Sequence, residues 1–448
     1  MRGILHLAVR SAASIFLMLA VAACVSPLTP EERDSAGKEL TIRVYMPYGR
    51  PQTKADDNAV YGEFVESMLY NLQIWAFEHC DPGDPAFDDR LSDAYCMIND
   101  MMLGTGWRNK EQVPSGRYAH WDSDNILAVK MLIPSSVAYR SDERLKFDFY
   151  ILANSESIGF DQPVFVTRSM LRNAVFGRRG DDDWFGPTAL VSEVVQGTGL
   201  PITAFYNSDE NGEPNGVDVS YLRWSASEMA QVDTIQFPVI QASRAVSRIR
   251  FLFSRQTGMN DVAVDSIKIF DYDDTNPATN GMIPRSSYIF ERETGGSIVP
   301  AGVTFDPVLI AADEADTPLL AASDIPETDD PKSLCRRANQ TAQEYDDFVR
   351  RQVRPLVSSI DPTMTQQVYY LRESDKPLKG CIYFTMEGKH YYDTFSMENL
   401  PSTSFYRNHT WTVYAYFMEK AIHFKTSYDP WAAGGHIALT GDLPPGIE

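Results

Sequence analysis

The side chains best suited to chemistry are histidines, and their spacing in this sequence of 448 residues argues against an enzyme. Beyond the amino-terminal leader, six histidines are scattered without the spacing of a metal-binding helix: His79, His120, His390, His409, His423 and His436. A Gly-x-Ser-x-Gly nucleophile elbow, a phosphate-binding loop and a dinucleotide fingerprint are also absent from the sequence. His409 follows Arg407 and Asn408, a pattern more typical of the polar start of a strand than of a catalytic site. We therefore predict no enzymatic activity.

Clusters of acidic residues give no clear metal site. Asp271, Asp273 and Asp274 have the spacing that begins a calcium-binding loop, but the glycine and the closing glutamate of such a loop are missing. Asp181–Asp183 beside Trp184 could face a sugar, although a surface loop explains them better. Paired carboxylates of a glycosidase cannot be picked out of 61 acidic residues. We predict that the protein holds no metal and no cofactor.

The chain begins with an export signal. Arg2 and Arg10 give the start of the chain the positive charge that such a signal has. The apolar run that continues through Ser14–Ala20 is too short to span a bilayer comfortably. The run ends in Val21-Ala22-Ala23-Cys24, which looks like the lipoprotein box of bacterial export signals. This resemblance implies that residues 1–23 are removed and that Cys24 carries lipid. Several acyl chains on one residue anchor a protein stably in a membrane, whereas a single chain does not. The alternative is an ordinary secretory signal with a coincidental cysteine.

Four cysteines remain after Cys24, and an oxidising compartment would permit them to pair. Four cysteines allow three connectivities. Local pairing, Cys80 with Cys96 and Cys335 with Cys381, is preferred because it keeps each bridge within one half of the chain. Free, buried thiols are an equal alternative. A structural zinc site is not expected because no Cys-x-x-Cys occurs.

Length and charge limit the class of protein. About 425 residues follow the leader, which suits two or three domains better than one. Without Arg2 and Arg10, 38 basic residues stand against 61 acidic ones, a net charge of −23. This balance argues against nucleic acid and anionic lipid surfaces as partners. Aromatic residues make up 12% of the sequence, which suits strands and sandwich cores.

One stretch stands apart from the rest of the chain. In Leu40–Pro47 the apolar residues Leu40, Ile42, Val44 and Met46 alternate with more polar ones, a pattern that predicts a half-buried strand. A mostly polar segment separates this strand from the next apolar run. That segment starts at Gly49-Arg50-Pro51, which we interpret as an exposed basic site.

Residues 24–38 are predicted to form a tether, because prolines, charges and small residues dominate there. Short alternating runs bounded by turn residues then predict an all-β fold, with two β-sandwiches in series and few short helices. The best helical pattern is Thr341–Val353, and Val164–Asn173 fits a short helix or a strand. A boundary near residue 230 divides domains 39–230 and 231–448. The run Ile235–Phe253 is predicted to be a bent strand with Arg244, Arg248 and Arg250 opposite its apolar face.

Several stretches together resemble the fimbrillin family, the lipoprotein precursors of type V pili. The matching stretches cover most of the chain in order: Val21–Cys24, Leu40–Met46, Phe64–Phe77, Gly199–Ile202, Arg244–Ile249 and Phe405–Val413. The resemblance implies two transthyretin-like Greek-key sandwiches and a stalk, tip or anchor subunit of a surface fimbria. It also implies a location at the cell outer membrane, through lipid on Cys24, and in the fimbrium.

The same resemblance implies assembly by strand exchange. An Arg-specific surface protease would cut after Arg50, or in second place after Arg43, and so remove the first strand with its lipid anchor. Other fimbrial subunits would then be the partners, each donating a strand to the groove left behind. The carboxyl-terminal segment His436–Thr440 is a candidate donor strand.

Two alternatives stay open at the level of sequence. In one, the first strand is an ordinary, permanent strand of a terminal or anchor subunit. A protein of another class, a surface glycan-binding β-sandwich lipoprotein, would show a platform of exposed aromatics, for which Trp107, Trp121 and Trp184 are candidates.

Overall fold

A computed structural model describes most of the chain beyond the leader. The described residues are 37–47, 69–98, 119–123, 126–139, 144–155, 166–175, 199–224, 237–259, 261–271, 283–291, 298–312, 314, 316–328, 365–396, 404–418 and 421–430. In these ranges strands predominate, and the predicted all-β fold class is confirmed. Two short α-helices accompany them, α1 (Ser135–Ala138) and α2 (Arg168–Arg172), together with 3-10 turns at Ser220–Arg223 and Ala322–Asp324.

The strands of the first half of the chain are β1 (Lys38–Tyr45), β2 (Leu72–Glu78), β3 (Ala94–Ile98), β4 (Ala119–Trp121), β5 (Ile126–Ile133), β6 (Lys146–Ala153), β7 (Ile202–Tyr206), β8 (Val217–Asp218), β9 (Val239–Gln241) and β10 (Ser243–Arg244). They form a four-stranded sheet in the order β4-β5-β1-β9 and a six-stranded sheet in the order β10-β7-β6-β2-β3, with β8 paired to β6. A single apolar core takes its side chains from both sheets. It includes Leu40 and Ile42 from the first sheet and Ile74 and Phe149 from the second.

The strands of the second half are β11 (Val246–Gln256), β12 (Val262–Asp271), β13 (Ile283–Pro284), β14 (Phe305–Asp306), β15 (Val308–Ala311), β16 (Glu327–Thr328), β17 (Thr365–Arg372), β18 (Ser374–Met386), β19 (Lys389–Ser396), β20 (Ser404–Phe405), β21 (His409–Met418) and β22 (Ala421–Pro430). One sheet has the order β16-β11-β21-β22, with β17 also on β11. The other has the order β15-β12-β18-β19, with β20 also on β18. A second apolar core lies between these sheets and draws on residues 249–422.

A third apolar cluster joins the two halves of the chain. It combines Trp75 and Tyr150 from the first half with Val246 and Tyr370 from the second. The ring of Tyr150 also meets the ring of Phe290 edge to face, with centroids 5.2 Å apart. The predicted domain boundary near residue 230 lies outside the described residues and stays a prediction.

Most of the strands that alternation predicts are present, and one long run differs in detail. Ile235–Phe253 is not one bent strand, because its described part, from residue 237, is split into β9, β10 and β11. Arg248 and Arg250 do lie opposite the apolar face of Ile249, but they are buried as well. The reason is that β11 is an inner strand with neighbours on both sides, and both of its faces are covered. Within the ambiguous segment 164–173, the structure has helix α2.

The preferred pairing of Cys80 with Cys96 is wrong, since both thiols are free, and Cys381 is free too. Cys96 lies opposite Ile74 in the ladder between β2 and β3. Cys80 is six residues further along the chain than Ile74, a span of roughly 20 Å in extended chain, whereas a disulfide needs Cα atoms about 4.4–6.8 Å apart. Cys335 lies outside the described residues.

The thiol of Cys96 is expected to be inert in the folded protein. Burial raises the pKa of Cys96 to about 11. At pH 8 the thiolate fraction is then on the order of 0.1%, and the thiolate is the reactive species. Alkylation at pH 8, followed by mass spectrometry of peptides, should label Cys96 at least tenfold more slowly in the folded chain than in urea. Equal rates in the two conditions would contradict this burial.

Candidate functional site

The candidate site is the groove that strand β1 fills. The side chains of Leu40, Ile42, Val44 and Met46 all point into the first core, and each has an exposed fraction of 0%. The predicted alternation is thus confirmed, and all four side chains belong to one apolar cluster. Burying a side chain of this kind contributes about 1.5–3 kcal/mol, so the four together contribute about 6–12 kcal/mol before the entropy of ordering the strand is subtracted.

Strand β1 also completes a sheet. It pairs antiparallel with β5 along its whole length, from Lys38 opposite Ile133 to Tyr45 opposite Ile126. On its other side it pairs parallel with β9 over only three residues, Arg43 to Tyr45. Among the described strands, β9 is connected to this sheet only through β1. Removing β1 would therefore open a groove between β5 and β9 and leave both edges unpaired.

The outward face of β1 carries charges that meet the wall of the groove. The Arg43 guanidinium donates from Nε to a carboxylate oxygen of Asp122 at 2.8 Å. The other oxygen of Asp122 lies 2.8 Å from Nε2 of His120 on β4. Near the start of the strand, Lys130 of β5 lies 3.4 Å from the carboxylate of Glu39. Both pairs are solvent-exposed, so each contributes at most about 1 kcal/mol to stability.

The end of β1 is held by the residues that follow β9. The backbone N–H of Ala242 donates to the carbonyl of Tyr45 at 3.0 Å. Arg244 is buried, and its Nη2 donates to the carbonyl of Pro47 at 3.0 Å. Its Nη1 lies 3.5 Å from the side-chain oxygen of Asn408, a residue of the second half of the chain. The exit of β1 is thus attached to the junction between the two halves.

A buried ion pair lies at that same junction. Arg407 follows β20 and donates to both carboxylate oxygens of Glu373, at 2.9 and 2.6 Å. It also donates to the backbone carbonyls of Ile289 and Tyr288, both at 2.8 Å. Burial is the largest single influence and lowers the pKa of Arg407, but the charge and hydrogen bonds of Glu373 together with the charge of Glu291 outweigh it, so the pKa lies above its ordinary value. Arg407 therefore stays charged and fixes four acceptors in place.

A second buried network lies in the first half and has a structural role. Arg168 of α2 donates to the carboxylate of Asp148 on β6, which also lies 2.8 Å from Nδ1 of His79. The Arg168 guanidinium is stacked between the rings of Phe77 and Phe87, 4.9 and 4.4 Å from their centroids. Each charge in this network has a charged or aromatic neighbour. The network anchors α2 and the loop after β2 to the six-stranded sheet.

Only some of the residues that were predicted from the sequence to be functional lie in the described ranges. Arg43 is in the middle of β1. Cys24, Arg50, Trp107, Trp184 and His436–Thr440 lie outside the described residues. Trp121, a candidate for an exposed sugar platform, is instead buried in the first core. The predicted helix Thr341–Val353 also lies outside the described ranges.

Two negative findings apply to the described part of the chain. It contains no group of three or more His, Cys, Asp or Glu side chains placed to hold a metal ion. Its helices are all too short, or too polar, to cross a bilayer. His409, weighed above as a catalytic candidate, has its Nδ1 2.7 Å from the carbonyl of Arg407 and so takes part in the turn before β21.

Sequence reasoning missed Asp122, Arg244, Glu373 and Arg407. A weak signal existed for the two arginines, because each lies at the edge of an apolar run that predicts a strand. An arginine at such a position is either exposed or paired, and the sequence does not tell which. The partners of Arg244 and Arg407 are far away in the chain, so no local pattern could identify them.

No protein-family model matches this chain, and no curated protein sequence matches it. Solved structures that it resembles include the tip fimbrial protein Mfa3 from Porphyromonas gingivalis in a form truncated at its C-terminus. That likeness covers 88% of this chain and 99% of Mfa3, at 10% identity and a TM-score of 0.41. The fimbrial anchor protein Mfa2 from the same organism matches over 89% of this chain and 100% of its own length, at 8% identity and a TM-score of 0.32. A fimbrial protein from Bacteroides vulgatus matches over 88% and 99%, at 10% identity and a TM-score of 0.29.

Proposed function

We propose that this protein is a stalk, tip or anchor subunit of a cell-surface fimbria that assembles by strand exchange. In this proposal the chain is exported as a lipoprotein and held in the outer membrane by lipid on Cys24. A surface protease specific for arginine then cuts after Arg50 and releases β1 with its anchor. A strand from another subunit takes the place of β1 in the groove between β5 and β9.

The observation that carries the proposal is the position of β1 in its sheet. β1 is the first described strand of the chain, and it is not at the edge of its sheet but lies between β5 and β9. Its loss would expose an apolar groove as well as the unpaired edge of β5, along eight residue pairs. Such an edge recruits an extended segment from another chain, with a net gain of about 1 kcal/mol for each ladder hydrogen bond.

The geometry favours Arg50 over Arg43 as the processing site. Arg43 is paired on one side with Ala128 of β5 and on the other with Val239 of β9. A protease binds its substrate as an extended segment in its own cleft, so a cut after Arg43 would first require β1 to leave the sheet. A cut there would also leave Val44 and Met46 in the groove. Cleavage after Arg50 removes the whole strand, although the protease must accept Pro51 after the cut.

Two conservative substitutions test the proposed cut. Arg50→Lys keeps the charge but removes the arginine that the protease requires, and we expect full-length subunits and no fibres from this subunit. Arg43→Lys is the matched control, since a lysine can still pair with Asp122, and it should give normal cleavage and normal fibres. The readouts are the mass of the subunit in surface extracts and electron microscopy of the cells. Normal processing of the Arg50→Lys variant would refute the assignment of Arg50.

The glycan-binding alternative is not favoured by the described residues. Trp121, one of its three candidate platform residues, is buried among apolar side chains.

Substituting Cys24 with Ser tests the lipid anchor separately, because unlipidated protein should then appear in the soluble extracytoplasmic fraction. No nucleic-acid partner is proposed for a chain of net charge −21.

A further inference from the structure

Two polar groups that contact β1 are also held by residues outside that strand. The first is Asp122, in the connection between β4 and β5. Its backbone N–H donates to the carbonyl of Ile126 at 2.9 Å, so the β5 end of the connection fixes its position. Asp122 therefore presents a carboxylate to the rim of the groove, held further by His120 on β4.

The second group is Arg244, at the same end of the groove but on the side of β9, beyond Tyr45. Its strand, β10, pairs with β7 of the six-stranded sheet, where Arg244 lies opposite Ile202. A buried guanidinium must be supplied with acceptors, because an unpaired buried charge is costly. The carbonyl of Pro47, the residue after the last inward side chain of β1, is one of those acceptors.

Apolar alternation alone does not fix where a strand lies in such a groove. A strand with inward side chains at every second position can slip by two residues and still keep all its remaining apolar side chains inside. A slip by two residues would move Arg43 away from Asp122 and bring Thr41 or Tyr45 to its place. The contact of Arg244 is with a backbone carbonyl, so it depends on how far the strand extends and not on its side chains. Asp122 therefore distinguishes between registers that keep the apolar alternation, whereas Arg244 requires the strand to extend far enough to supply a carbonyl.

We propose that Asp122 sets the register of the strand that fills this groove and favours a basic residue in it, and that Arg244 requires this strand to extend past its last inward side chain. An occupant with a basic residue between its second and third inward side chains is favoured, because that residue meets Asp122. The occupant also needs to continue one residue past its fourth inward side chain, to give Arg244 a carbonyl. For an incoming strand, this inference rests on the proposed function, and it names the chemistry of the partner: an extended, alternating apolar segment with a cation near its centre.

Hydrogen exchange of the β1 amides in the full mature chain tests both determinants. Arg43→Glu should raise exchange in β1 about two- to tenfold, because it replaces an attraction to Asp122 with a repulsion. The double variant with Asp122→Lys should restore slow exchange, since the charges are then reversed and complementary. Arg244→Met should raise exchange of the amides of residues 44–46 at least tenfold, and Arg244→Lys should have an intermediate effect.

Asn408→Gly is the control for Arg244. It removes the other acceptor described above without touching Pro47, and the φ of Asn408, 56°, suits glycine. It should leave exchange in β1 unchanged. The inference is overturned if Asp122→Lys fails to rescue Arg43→Glu, or if Asn408→Gly loosens β1 as much as Arg244→Met does. This measurement needs no polymer, so a failure of fibre assembly would count against the proposed function and not against these two residues.

Discussion

Replacing Glu373 with alanine is expected to lower the free energy of unfolding by about 3–5 kcal/mol. Both Glu373 and its partner Arg407 are buried, and the substitution leaves the Arg407 guanidinium charged without the carboxylate bonded to it, although the charge of Glu291 still acts on it. Arg407 remains bonded to the carbonyls of Tyr288 and Ile289, so the chain cannot simply turn the arginine out to solvent. Urea denaturation of the mature protein, followed by tryptophan fluorescence, measures this loss.

A matched control uses an exposed ion pair in the same half of the chain. Arg285 and Asp306 lie 2.9 Å apart, but 48% and 34% of their side-chain surfaces are exposed. Asp306→Ala should therefore change the free energy of unfolding by less than about 1 kcal/mol. If Glu373→Ala were as mild as Asp306→Ala, the buried pair would not stabilise the junction between the halves.

Replacing Ile42 with alanine is expected to destabilise the packing of β1 against the first core by about 2–5 kcal/mol. Ile42 has an exposed fraction of 0% at the centre of the strand, so the shortened side chain leaves a cavity among fixed neighbours. Hydrogen exchange should rise sharply in β1 and in its neighbours β5 and β9. It should rise much less in the second core, because that core shares no cluster residue with β1.

Thr41→Ala is the control for Ile42→Ala. Thr41 is the next residue, on the outward face of the same strand, and it is only partly buried. Its loss should cost less than about 1 kcal/mol, since it creates no cavity in the core. Equal effects of the two substitutions would mean that β1 is held by its backbone alone, without help from its inward side chains.

The sequence predicts the strands well where one face is buried and the other is not. Alternation in Leu40–Met46 is clear because Thr41, Arg43 and Tyr45 face away from the core, and the structure has the strand where the pattern predicts it. Alternation fails to predict burial in β11, where Arg248 and Arg250 are buried like Ile249 between them. A pattern along one strand assigns faces, but it does not show what lies on each face.

The neighbours of β1 could not be predicted from sequence. Antiparallel β5 lies about 90 residues away, and parallel β9 lies about 200 residues away, at spacings that no local signal encodes. The same is true of the junction, where Arg244 reaches back to Pro47 and Arg407 reaches Glu373 and Ile289. Chain topology brings these groups together, so their roles become visible only in three dimensions.

The central claim is that β1 is removed and that another strand replaces it. The most direct test is the amino-terminal sequence and intact mass of this subunit in fibres sheared from the cell surface. The proposal predicts a chain that begins at Pro51 and lacks Cys24 with its lipid. A subunit that is assembled in fibres and still begins at lipidated Cys24 would show that β1 is a permanent strand of the fold.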